Sequence, residues 1–188
     1  KRLPASPLRV VKRPAPSRAP MILNRQSAAR VSVPGLDRFL ERVARKLGIA
    51  PGALTVCLVT NAQMARWNRA FRRKTGPTDV LSFPADEANA GEQSRRGSRR
   101  RASVNRTKNR LSSTSFNSST SSTSYLGDIA IAPAVARRNA RRFGRTLRDE
   151  LCILILHGAL HLMGYDHETD QGQMDRFEQR LRRSLGLA

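Results

Sequence analysis

Leu151-Cys152-Ile153-Leu154-Ile155-Leu156-His157-Gly158-Ala159-Leu160-His161-Leu162-Met163-Gly164-Tyr165-Asp166-His167 contains all three histidines of a 188-residue chain. From Leu151 the run is apolar on every side, which predicts the central buried helix of a fold. Thr146, with Asp149 three residues later, resembles a capping box at its start, although Asp is a poorer third-position partner than Glu. Residues four apart share one helix face, so His157 and His161 point the same way. Gly164 is suited to end the helix, because glycine reaches the left-handed conformation without steric cost. The chain can then turn back and deliver His167 to the same point. A lone histidine in an apolar segment is usually a core residue. Three at His-x3-His-x5-His spacing, with a glycine at the turn, point instead to a zinc-type site. Three protein ligands leave a tetrahedral ion one open position, which suits catalysis better than a structural role.

Outward from this helix the pattern alternates between strands and helices. Met21–Gln26 reads as a strand. Residues 34–47 read as a helix, with Leu36, Phe39, Leu40, Val43 and Leu47 at three- and four-residue spacing and Gly48 as its stop. Leu54–Thr60 is β-branched and apolar, a buried strand. Asn61 is placed to cap a helix over 62–72 that buries Met64, Trp67 and Phe71. Val80–Phe83 and Gly127–Ile131 read as short strands. Pro133 opens a helix to about Phe143 whose outer face carries Arg137, Arg138, Arg141 and Arg142. Asp170–Leu185 is the last helix, with Met174, Phe177, Leu181 and Leu185 inward.

The formal net charge is +21, from 35 basic and 14 acidic residues. Such an imbalance points to a polyanionic partner, nucleic acid first and an anionic membrane surface second. Residues 1–20 hold six basic residues, no acid and five prolines, and read as a disordered basic extension. Residues 88–124 carry a net charge of +7 in a low-complexity Ser/Arg-rich segment, which reads as a disordered insertion in a loop. The insertion either adds loose electrostatic grip on nucleic acid or is a passive solvated loop. The remainder, 21–87 with 125–188, is still basic at +8 and long enough for one domain with its own core. Cys57 and Cys152 sit in apolar runs and read as small buried hydrophobes. The apolar stretch Leu151–Leu156 is far shorter than the roughly 20 residues of a membrane span, and no signal-peptide core is seen in 1–20.

Gly158 sits mid-helix, where glycine costs about 1 kcal/mol relative to alanine. Its tolerance has two explanations, close approach of substrate or backbone beside the metal, or helix packing. The histidine and glycine spacing matches that of metzincin proteases, His-Glu-x-x-His-x-x-Gly-x-x-His. Gly158 stands where those proteases carry their general base, so peptide hydrolysis has no proton acceptor here. Asp166 and Glu168 flank His167, and either could hold a histidine ring or accept a proton. Thr78, Asp79 and Asp128 read as turn-fixing and structural groups.

The segment Leu151–His167 resembles the signature of the YbeY family, bacterial endoribonucleases of ribosomal RNA maturation. The family's His-Gly-x-Leu-His-Leu-x-Gly-Tyr-Asp-His is met without a departure. A second block, Asn68, Phe71, Arg72, Lys74 and Pro77-Thr78-Asp79-Val80-Leu81-Ser82-Phe83-Pro84, is similar to another family motif, with Phe71 replacing the usual Tyr. Leu126-Gly127-Asp128-Ile129 resembles a third. The resemblance covers 21–87 and 125–186. It implies an α+β fold, a single domain with a small mixed β-sheet and helices around a central buried metal-bearing helix. It further implies one zinc ion on His157, His161 and His167, with Arg72 at the position of the family's important arginine. A guanidinium suits a phosphodiester, because its planar fork pairs with two phosphate oxygens.

The expected activity is therefore that of a cytoplasmic, zinc-dependent endoribonuclease. Its expected substrate is single-stranded RNA, in 3′-end processing of small-subunit ribosomal RNA, with the small subunit and its assembly factors as partners and no membrane. Two rivals remain at this point. One is an RNA-binding ribosome-assembly factor with a structural zinc. The other is a metzincin-like metalloprotease, disfavoured by Gly158.

Overall fold

Strict alternation along the strands sorts the core into two faces. In the computed structural model, which describes residues 21–85, 125–166 and 170–187, four strands form one mixed sheet. They are β1 (Ile22–Asn24), β2 (Leu54–Leu58), β3 (Val80–Pro84) and β4 (Gly127–Ile131), in the spatial order β1-β2-β4-β3. β1, β2 and β4 run parallel, and β3 closes the edge antiparallel to β4, with Ser82 opposite Ile129. Leu54, Val56, Leu58, Ile129 and Ile131 point to one face; Cys57, Leu81 and Ala130 point to the other. This is the two-residue period of a pleated strand buried on both sides.

Five helices cover the described sheet: α1 (Val33–Leu47), α2 (Asn61–Arg72), α3 (Pro133–Arg142), α4 (Leu147–Leu162) and α5 (Gln173–Leu185). Leu36, Phe39, Leu40 and Val43 of α1 join the first face, with Met174, Leu181 and Leu185 of α5. Met64 and Trp67 of α2 pack on the second. Prolines open α1 and α3, where a missing N–H costs nothing. α4 packs on β3 and β4 and also touches α1, α3 and α5, so its burial runs round the whole helix from Leu151 to Leu156. Each such Leu or Ile contributes about 1.5–3 kcal/mol of burial. The α+β fold and the central helix expected from sequence are both found.

Local boundaries moved where side chains cap them. Thr60 rather than Asn61 caps α2, its hydroxyl accepting from the Gln63 N–H at 3.2 Å. Thr146 caps α4, as read from sequence: its Oγ1 accepts from the Asp149 N–H at 3.1 Å and donates to Asp149 Oδ2 at 2.7 Å, so the carboxylate takes the hydroxyl. α5 starts at Gln173, not Asp170, because the Asp170 carboxylate is spent on the backbone N–H groups of Gly172, Gln173 and Met174. The expected basic extension over 1–20 and the whole of the expected insertion over 88–124 lie outside the described residues. No helix among those described is long and apolar enough to cross a membrane.

Candidate active site

One helical turn separates His157 from His161, and the two rings meet edge to face with centroids 4.6 Å apart. Their Nε2 atoms stand 3.1 Å from each other. The opposite nitrogen of His157, Nδ1, lies 2.9 Å from Oε2 of Glu178 on α5. Glu178 is 4% exposed. Its other oxygen accepts from Arg182 Nε at 3.0 Å and from a terminal nitrogen of the same guanidinium at 2.5 Å. Burial pushes the Glu178 carboxyl up. The hydrogen bonds of His157 and Arg182 and the Arg182 charge outweigh that and hold it below its ordinary value. An ionised carboxylate demands a donor, so the His157 proton belongs on Nδ1 and the Nε2 lone pair is left facing His161.

That arrangement passes a fit test for a cation. Two imidazole nitrogens bound to one tetrahedral zinc at about 2.0–2.1 Å stand about 3.3 Å apart, near the observed spacing. A histidine ligand whose far nitrogen donates to a carboxylate is the usual way such rings are oriented. His167 and Glu168 lie outside the described residues, so two of the three expected ligands are seen together. Among the described residues no set of three or more metal-ligating side chains occurs. Gly164 adopts φ +88° just past the helix, the left-handed turn its position predicts.

Gly158 resolves to packing. A Cβ there would stand 2.7 Å from Ile129 Cγ2 of β4, so the glycine lets α4 lie against the sheet. Ser82 reinforces this contact, its hydroxyl donating to the Gly158 carbonyl at 3.3 Å.

Arg72 is the exposed last residue of α2, the helix whose Met64 and Trp67 pack on the face of the sheet opposite α4. The edge strand β3 connects the two layers. Phe71 packs on Phe83 edge to face at 5.2 Å, while Ser82, one residue before it, reaches α4. The turn after α2 is held by Asn68, whose side-chain amide donates to the Gly76 carbonyl at 2.9 Å. Asp79 accepts from the Val80 N–H, the Thr78 hydroxyl and the Asn139 amide. Thr78 and Asp79 are turn-fixing groups, as read from sequence. Asp128 is likewise internal: Tyr125 Oη is 2.5 Å from its Oδ1, and burial raises the carboxyl against that hydrogen bond.

Sequence reasoning offered Asp166 or Glu168 as the carboxylate that holds a histidine ring and missed Glu178. The signal was present. Glu178 falls four residues after Met174 and three before Leu181, on the inward stripe of an amphipathic helix, where an acid needs a buried partner.

The family model described as Endoribonuclease YbeY matches residues 22–186. The chain is 37% identical over 164 residues to an "Endoribonuclease YbeY" of Solibacter usitatus, covering 87% of this chain and 86% of that one. It is 36% identical over 167 residues to one of Koribacter versatilis, covering 89% and 86%. A solution structure from Thermotoga maritima is 24% identical, covers 87% of each chain and superposes with a TM-score of 0.44. With the family match running through β1, Arg72, both described histidines and α5, the chain belongs to the YbeY endoribonuclease family.

Proposed function

We propose that this chain is a zinc-dependent endoribonuclease that cuts single-stranded RNA and acts in 3′-end processing of ribosomal RNA and ribosome maturation. The observation that carries the reading is the His157–His161 pair, its Nε2 atoms 3.1 Å apart and one ring clamped by a buried ionised carboxylate. His157 and His161, with His167, would hold the ion. When bound, zinc supplies Lewis acidity toward a phosphate oxygen and acidifies water. The protein's own part is orientation. Arg182 holds Glu178, and Glu178 sets the His157 tautomer and favours the ring orientation that faces His161. Arg72 pairs with phosphate oxygens and offsets charge that develops during cleavage. RNA at the cut is unpaired, because a phosphate packed in a duplex cannot enter a site built on a buried helix. The small ribosomal subunit and its assembly factors are the proposed partners, in the cytoplasm.

The test is cleavage of an unstructured RNA spanning the 3′ end of small-subunit ribosomal RNA. Wild type and His161→Ala are compared, with zinc supplied and then chelated. Cutting that both the substitution and the chelator abolish supports the reading. Equal behaviour of the two proteins, with RNA binding retained, replaces it with a binding factor whose metal is structural. Gly158 gives a protease nothing to work with, since it carries no side chain to accept a proton.

A further inference from the structure

Between Pro133 and Arg148 the chain has six arginines and no acid. In their midst stands Phe143, 57% exposed, at the end of α3. Its ring is flanked by two guanidinium groups, Arg142 at 5.8 Å and Arg145 at 5.2 Å from the centroid. Arg145 is anchored by the buried Glu150 at 3.2 Å, so one side of the ring is bounded by a fixed cation. The surface continues through Arg148, which touches the half-buried Asp149 at 3.4 Å, into a cleft of about 470 Å³ between α1 and the start of α4. Arg30, Arg38 and Arg42 line that cleft, and among the described residues no carboxylate does.

An aromatic ring held in water between arginines does little for folding. A Phe serving the core would be buried, as Phe39 is at 2%. What the combination suits is a chain of alternating flat rings and negative charges. Each base has a π-face that stacks on an aromatic side chain, and each phosphate pairs with a guanidinium. An acidic peptide satisfies the arginines but gives the ring nothing to stack.

We propose that Phe143, with Arg142 and the arginine-lined cleft beyond Arg148, is a second RNA-docking surface, separate from the histidines, that stacks an unpaired base on the ring and binds the adjoining phosphates. The separation follows from α4 itself: Leu147 at its start and His157 are ten residues apart, about 15 Å along the axis. The inference rests on the chain taking RNA as its ligand, and it extends the proposed contact well past the bond that is cut.

The test measures affinity of the whole chain, with zinc chelated so that nothing is cut, for oligoadenylate and oligouridylate, each long enough to span both regions. Wild type, Phe143→Ala, Phe143→Tyr and Arg148→Gln are compared, with melting curves as the control on folding. Phe143→Ala is expected to weaken binding by on the order of tenfold and to shrink the preference for adenine over uracil, while Phe143→Tyr retains both. Arg148→Gln is expected to lower the slope of log affinity against log salt by about 0.7, the single-strand value for one phosphate contact. Wild-type affinity and base preference in folded Phe143→Ala overturn the proposal, and so does a failure of wild type to bind either oligomer. Because binding is read without cleavage, a chain that binds through Phe143 but cuts no RNA when zinc is supplied defeats the nuclease reading and leaves this one standing.

Discussion

Glu178 Oε2 sits 2.9 Å from His157 Nδ1, joining two helices whose contributing residues lie 21 positions apart. The carboxylate is buried and doubly held by Arg182 one turn further along α5. A neutral imidazole has one donor and one acceptor nitrogen. By taking the donor, Glu178 decides which nitrogen His157 presents to His161. The two faces of one ring thereby acquire separate tasks, one for orientation and one for ligation.

Replacing Glu178 with Gln keeps the shape and removes the charge. Outer-shell carboxylates on histidine ligands typically contribute 10- to 100-fold in metal affinity or activity, and a loss of about that size is expected here. Competition titration with a chromophoric zinc chelator reads it. Unchanged zinc affinity in a folded Glu178→Gln protein would reduce Glu178 to a structural ion pair with Arg182.

Gly158→Ala is expected to destabilise, despite alanine's advantage in a helix of about 1 kcal/mol. The new Cβ meets Ile129 Cγ2 at 2.7 Å, and a fully buried β-branched side chain is stiff at χ1 and yields little. Overpacking costs about 1–3 kcal/mol, so a net loss of about 1 kcal/mol is expected from urea unfolding. Pairing it with Ile129→Ala should cost less than the sum of the single changes. Strict additivity would show that the two residues do not collide.

Asp170 is held below its ordinary carboxyl value, chiefly by the hydrogen bond from the Met174 N–H, with Gly172 and Gln173 adding to it. A depressed folded value means that the charged cap stabilises fully above the unfolded value of 3.8. That contribution fades as pH falls through the lower folded value. Asp170→Ala should therefore melt below wild type at neutral pH, and the gap should narrow in acid. A gap of equal size at both pH values would remove the charge from the explanation.

Burial pushes the Cys152 thiol up to about 11, and Cys57 is raised for the same reason. At neutral pH the thiolate fraction of Cys152 is then about one part in ten thousand. Both cysteines are buried and free, so an aromatic disulfide reagent should label neither until denaturant is added, when both react. Labelling of Cys152 in the native state, at a rate independent of unfolding, would contradict the packing of α4.

The helices and strands were legible because their determinants are local. The three- and four-residue spacing of α1, the β-branched run of β2 and the Thr146–Asp149 cap each depend on neighbours in sequence. His157 and His161 were legible for the same reason, since one helical turn places them together whatever surrounds the helix. Where boundaries shifted, a side chain outcompeted its neighbour for the same N–H groups, as Thr60 did for α2 and Asp170 for α5.

The rest was a matter of which surfaces meet. Whether Gly158 served substrate or packing depended on Ile129 lying beneath it, 29 positions upstream on another element. That α2 packs Met64 and Trp67 on the face of the sheet opposite α4 depends on how the chain crosses from β2 to β3, which no local pattern encodes. The acid that orients His157 was recognisable from sequence only as a charge on an apolar stripe. Its partner depended on how α5 lies against α4, because a buried carboxylate is stable only where the fold delivers donors to it. Sequence alone determined the elements and the paired histidines, since helical periodicity is short-ranged. The tertiary structure decided what holds those histidines, since that contact exists only once distant segments pack.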